Sequence, residues 1–221
     1  QIAFWQADAN KIRDYYMINT TDSVYSKIIP VEYPKVGEAP SPVRIGVIAL
    51  SNGFIRWMNI DGDPQQHYLT RMEWSGSNEL VVQQLDRKQQ ESKLIYCNSR
   101  DGISRTFWAE NDDAWVDMNS GNPVGWNWIN KGQDFIWVSE KDGWRHIYKI
   151  SRDGKTATLL TNGNYDIGEI KAIDEKNNYI YFTASPENAT QLYLYRVKID
   201  NKYSIITEAK NRISKKGSSD P

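Results

Sequence analysis

Asp134-Phe135-Ile136-Trp137-Val138-Ser139, the turn Asp142-Gly143, Arg145-His146-Ile147-Tyr148-Lys149-Ile150, the turn Asp153-Gly154 and Ala157-Thr158-Leu159-Leu160-Thr161 follow one another in the second half of the chain. Each apolar run is short, rich in β-branched and aromatic residues, and bounded by residues that favour tight turns, the pattern of antiparallel strands joined by hairpins. The same order occurs upstream, where Glu79–Leu85 leads to Lys93–Cys97 and, past Arg100-Asp101-Gly102, to Ser104–Trp108. It occurs again downstream in Tyr179–Ala184, Gln191–Val197 and Tyr203–Ile206. Val81, Ile136 and Ile180 stand 55 and 44 residues apart, steps that bracket a four-stranded propeller blade with variable loops. A further strand precedes each copy, at Met72-Glu73-Trp74, Trp126-Asn127-Trp128 and Ile170-Lys171-Ala172-Ile173.

The fold class this predicts is all-β, a partial β-propeller of about three to four four-stranded antiparallel blades that must stack on neighbours to bury their faces. Blades are placed at 1–65, 66–118, 119–166 and 167–210, with a polar tail at 211–221. The first blade carries an insertion, because Pro34, Gly37, Pro40 and Pro42 exclude a central strand there. After the insertion, Val43–Leu50 and Phe54–Met58 form a hairpin around Ser51-Asn52-Gly53. The stretch Ala7 to Ile18 shows no 3.6-residue apolar stripe and is not a helix.

Composition agrees with strands. The 9 Trp, 13 Tyr and 5 Phe make 12% of the 221 residues, while the mean hydropathy is −0.67. Sheets that bury one face and solvate the other reconcile the two figures, and disorder is excluded for most of the length. Lys and Arg number 27 against 28 Asp and Glu, so no basic excess points to nucleic acid. No apolar run is long enough for a membrane-spanning helix. The opening Gln1-Ile2-Ala3-Phe4-Trp5, without Met and already strand-like, is expected of a piece of a longer protein.

Reactive chemistry is sparse. Cys97 is the single cysteine and reads as a buried thiol on a strand; with only His67 and His146 besides, no metal site and no cofactor is assigned. Gly-x-Ser-x-Gly, P-loop and Gly-x-Gly-x-x-Gly strings do not occur. His146, inside a strand, reads as a structural histidine, and His67, after Asp63-Pro64-Gln65-Gln66, as an exposed loop residue. Asp112-Asp113 and Asp61/Asp63 fit turns better than paired acid–base catalysis. Trp126, Trp128, Trp137 and Trp144 fit packing between blades, the rival being a sugar-stacking platform. Asn19-Thr20-Thr21 and Asn188-Ala189-Thr190 match the glycosylation sequon at a frequency near chance. No catalytic residue is assigned and the substrate-binding residues stay unknown.

Four strings carry more specific information. Tyr33-Pro34-Lys35-Val36-Gly37 with Pro42-Val43 resembles the Tyr-Pro-Lys-x-Gly…Asn-Pro-x-Val segment of the dipeptidyl peptidase IV family of prolyl-oligopeptidase-like serine peptidases, with Ser41 where the family has Asn. Ser139 to Tyr148 resembles the family's Ser-x-x-x-Gly-Tyr/Trp-x-His-Ile/Leu-Tyr stretch. Leu160 to Ile167 resembles Leu-Thr-x-Gly-x-Trp-x-Val, with Tyr165 for Trp, and Tyr179–Ala184 with Leu192-Tyr193 continues the similarity over residues 1–205. The resemblance implies the later blades of an N-terminal eight-bladed propeller. It also implies a C-terminal α/β-hydrolase domain of the same parent chain, with a Ser-Asp-His triad cutting dipeptides from peptide substrates.

The expected function is a non-catalytic propeller segment forming part of the lid and cavity wall over that separate domain. The chain itself is expected not to be an enzyme. The loops Asp117 to Val124 and Glu140 to Trp144 are expected to face the hydrolase or the substrate path. A homodimer through exposed blade surfaces and a bacterial periplasmic location complete the expectations. The alternative is a free-standing propeller that scaffolds proteins or glycans.

Overall fold

Asx turns close the hairpins. Ile103 N donates to Asp101 Oδ1 at 2.8 Å, Lys155 N to Asp153 Oδ1 at 3.1 Å and Phe54 N to Asn52 Oδ1 at 3.0 Å. A short carboxylate or amide oxygen two residues before the amide it accepts from is what makes Asp-Gly and Asn-Gly pairs turn formers. At Gly102 the turn also needs the missing side chain, since φ is +82° and a Cβ would stand 2.4 Å from the Trp57 carbonyl oxygen.

The computed structural model describes residues 1–117 and 126–200, together with the backbone of Thr207–Glu208. The chain divides into two units, Gln1–Trp115 and Val116–Pro221. In the first, β1 (Ile2–Ala7) is followed by β2 (Asp14–Asn19), β3 (Lys27–Glu32), β4 (Val43–Ile48) and β5 (Ile55–Trp57). β1, β4 and β5 make a three-stranded antiparallel sheet in that order, whereas β2 and β3 pair with each other as a separate hairpin. β6 (His67–Trp74), β7 (Glu79–Asp86), β8 (Glu91–Asn98) and β9 (Ser104–Asn111) then form a four-stranded meander. The second unit holds the meander β10 (Asn127–Ile129), β11 (Asp134–Ser139), β12 (His146–Ser151), β13 (Ala157–Leu159). The meander β14 (Ile167–Asp174), β15 (Tyr179–Ala184), β16 (Tyr193–Lys198), β17 (Thr207–Glu208) follows it. The protein is all-β, and its consecutive four-stranded sheets are blades of a partial β-propeller. The strand expected at Tyr203–Ile206 and the tail 211–221 lie outside the described residues.

Packing follows the strand period. On β15, Ile180, Phe182 and Ala184 are buried while Tyr179, Tyr181 and Thr183 are half-buried. They join Ile136, Ile147, Leu160, Ile170 and Val197 in one core that spans both sheets of the second unit. In the first unit Ile45 and Val47 of β4 pack with Leu69, Leu80, Val82, Ile95 and Cys97. Each fully buried aliphatic side chain in these clusters contributes about 1.5–3 kcal/mol. The Trp5 indole adds a bond to the Leu69 carbonyl at 3.0 Å, tying β1 to β6.

One sequence expectation fails and one element was not foreseen. His67 is not an exposed loop residue: it opens β6, is 9% exposed, and pairs in register with Asp86 of β7. The strand begins directly after the Asp63–Gln66 turn, which draws His67 under the preceding loop. The hairpin of β2 and β3, with Tyr16 opposite Pro30 and Ile18 opposite Ile28, was not foreseen, and it accommodates Pro30 because neither strand has a second neighbour to bond.

Candidate functional site

The turn between β11 and β12 holds a cluster of polar contacts around Asp142 and His146. Asp142 and His146 are four residues apart, and the His146 ring donates through Nδ1 to Asp142 Oδ2 at 2.9 Å. Burial alone would push the Asp142 carboxyl up, but hydrogen bonds from the His146 ring and the Tyr148 hydroxyl outweigh it and hold the carboxyl below the usual range. His146 is 1% exposed, its other ring nitrogen is buried without a protein partner, and its ring stands edge-on to Tyr165. Nδ1–H on the carboxylate fixes the ring as aspartate–histidine pairs do in hydrolases. Here the free nitrogen meets protein rather than a nucleophile, and Ser139 Oγ accepts from the Lys141 amide. The arrangement is a clamp for the turn, in agreement with a structural His146.

The clamp presents Glu140, Lys141 and Trp144. The Lys141 ammonium lies 4.1 Å from the Tyr148 ring centre, and Trp144 is 39% exposed. Arg145 braces the other side: its Nη1 pairs with Asp117 Oδ2 at 3.0 Å, its amide donates to Asp166 Oδ1 at 2.8 Å, and its carbonyl accepts from Ile167 N. Both members of the ion pair are mostly shielded, so salt screens it less than a surface pair. Arg145 therefore joins the start of β12, the start of β14 and the residue that leads into the loop after Asp117. Residues 118–124 of that loop lie outside the described residues.

The other sequence candidates stay apart. Asp112 uses its carboxylate on the amides of Ala114 and Trp115, which hold it below the usual range, and it is turn chemistry as expected. Cys97 is fully buried and its thiol is pushed up to about 12 by burial, which makes it unreactive. Trp126 and Trp137 are buried, against the sugar-platform rival, while Trp128 is half-buried with Arg152 over its face and Phe135 at its edge. Among the described residues no three His, Cys, Asp or Glu side chains come together to hold a metal ion. No helix among them is long and apolar enough to cross a membrane. Sequence reading missed the Arg145–Asp117 pair, which joins residues 28 apart and leaves no local signal. It missed equally the contact of His67 with Gln84, whose signal was only a Gln at a buried strand position.

The family described as the dipeptidyl peptidase IV N-terminal region matches residues 1–219 of the chain. A protein of Emericella nidulans described as a dipeptidyl peptidase 4 is 26% identical over 182 residues, 78% of this chain and 24% of that protein. Among solved structures, the Porphyromonas gingivalis dipeptidyl peptidase 4 superposes with a TM-score of 0.79 at 22% identity, covering 92% of this chain and 28% of that one. A dipeptidyl aminopeptidase IV-type structure from Bacteroides ovatus gives 0.76 at 21% identity, covering 91% and 31%. The chain thus spans about a quarter of the length of the curated relatives it matches.

Proposed function

The chain belongs to the dipeptidyl peptidase IV N-terminal region family, and from that premise we propose that it is the non-catalytic propeller part of a serine exopeptidase. In this reading its blades form wall and lid over a separate Ser-Asp-His hydrolase domain, and they admit flexible peptide ends while keeping folded proteins out. The observation that carries the reading is the family match along nearly the whole chain, coupled with a length about a quarter of the curated relatives'. The site geometry supports it. Among the described residues, the buried His146 and its partner Asp142 are spent on holding a turn, and that turn offers Trp144, Lys141 and Glu140 as contacts rather than reagents.

A lid contributes by confinement. It restricts how a bound peptide can lie and so supplies orientation that the hydrolase would otherwise obtain at an entropic cost. The test is a chromogenic Xaa-Pro assay on the 221-residue chain beside the full parent enzyme. The chain alone is expected to release no product, and the parent to release it with sensitivity to a serine-reactive inhibitor. Inhibitor-sensitive hydrolysis by the 221-residue chain would overturn the reading.

A further inference from the structure

The loop that joins the first sheet to β6 is bonded at its ends through Asn59, Gln65 and Gln66, and at its middle by the side-chain amide of Gln84. Gln84, 8% exposed on β7, donates from Nε2 to the Asp61 carbonyl oxygen at 2.8 Å and lies 2.9 Å from His67 Nδ1 through the same nitrogen. A primary amide nitrogen carries two hydrogens and no lone pair to offer, so one hydrogen serves Asp61 and the other serves the ring. His67 Nδ1 must then be the acceptor, and the ring proton sits on Nε2. The backbone presses on the same point: Gly62 has φ +106°, and a Cβ there would stand 3.2 Å from His67 Nδ1 and 3.6 Å from Gln84 Nε2.

We propose that Asp61, Gly62, Gln84 and His67 form a proton-operated latch on the connector 59–66. Protonation places an N–H at Nδ1, pointing at the N–H of Gln84. Rotating the amide would give that new donor an oxygen, but would set the same oxygen against the Asp61 carbonyl. Either way one of the two bonds is lost, and the loop loses a fastening.

The surrounding charges do not relieve the conflict. Asp63, in the loop, favours the charged ring, but burial outweighs it and pushes the His67 pKa below 6.5. Asp86, the register partner of His67, spends its carboxylate on the amides of Lys88, Gln90 and Glu91. Arg87 lies over the Tyr68 ring, and Lys93, the register partner of Gln84, pairs with Glu91 at 2.6 Å. The sign follows from the direction of the His67 shift. The folded protein binds fewer protons than the unfolded chain between its depressed pKa and 6.5, so the latch is closed above pH 6.5 and opens as pH falls through that depressed value.

The test uses the whole chain. Long-range ¹H–¹⁵N spectra are expected to show His67 as the Nε2–H tautomer at neutral pH, with the Gln84 side-chain amide shifting along the His67 titration. Hydrogen exchange of residues 59–66, corrected for its intrinsic pH dependence, is expected to rise roughly fivefold between pH 7.5 and 5, the change that losing one ordinary hydrogen bond produces. Gln84→Met should give the faster exchange at both pH values. Should that variant not fold, the wild-type titration and exchange read the same question. An Nδ1–H tautomer at neutral pH, or exchange unchanged across the His67 titration, would overturn the proposal.

Discussion

Trp137 shows how a single residue on these strands earns its place. It sits on β11, opposite Tyr148 of β12, with its ring edge-on to Phe135 and 5% of its surface exposed. A side chain so enclosed leaves a void when truncated, because strands fixed by hydrogen bonds on both sides cannot close over it. Trp137→Ala is expected to lower unfolding stability by about 3–5 kcal/mol in urea titration; a loss under about 1 kcal/mol would mean that the ring is held by solvent-side contacts. Trp144, 39% exposed on the neighbouring turn, gives the contrast within one hairpin, since it has little burial to lose. Composition alone ranked the two tryptophans together, and only the register separates them.

At the scale of the element, the hairpins test the turn chemistry. Gly53 and Gly102 both have positive φ, but a Cβ at Gly53 meets nothing within 4 Å and one at Gly102 meets the Trp57 carbonyl at 2.4 Å. Gly53→Ala should cost about 1–2 kcal/mol from backbone strain alone. Gly102→Ala should cost at least about 1 kcal/mol more, because backbone must also move. Equal urea midpoints for the two variants would show that the β5 carbonyl yields freely.

These turns were legible in the sequence for the reason they work, since an Asp or Asn oxygen, its own backbone and a Gly lie within three residues of one another. The alternation of Ile180, Phe182 and Ala184 was legible in the same way. β2 was not, because Tyr15-Tyr16-Met17-Ile18 is apolar without alternating and neither face is fully covered. Arg145–Asp117 and Gln84–Asp61 were hidden for another reason: both depend on which strands lie side by side, and no window of sequence contains that.

The whole molecule poses the question of the hairpin of β2 and β3. Tyr16, Met17, Ile18 and Ile28 are each more than half exposed, and Val24 and Tyr25 at its turn are more so. A lone two-stranded hairpin is marginal in water, and so large an apolar surface commonly marks a place of association. Sedimentation velocity is expected to show mass rising with concentration, and replacing the register partners Ile18 and Ile28 by Lys to return a monomer. A wild-type mass independent of concentration would show that the hairpin tolerates water unaided. For any such experiment the chain has a practical asset in Cys97, its one cysteine, sealed in the core with its thiol pushed up to about 12. A cysteine engineered on the surface would be the only one to react with maleimide or a spin label in the native protein, so dyes can be attached at chosen points without first making a cysteine-free background.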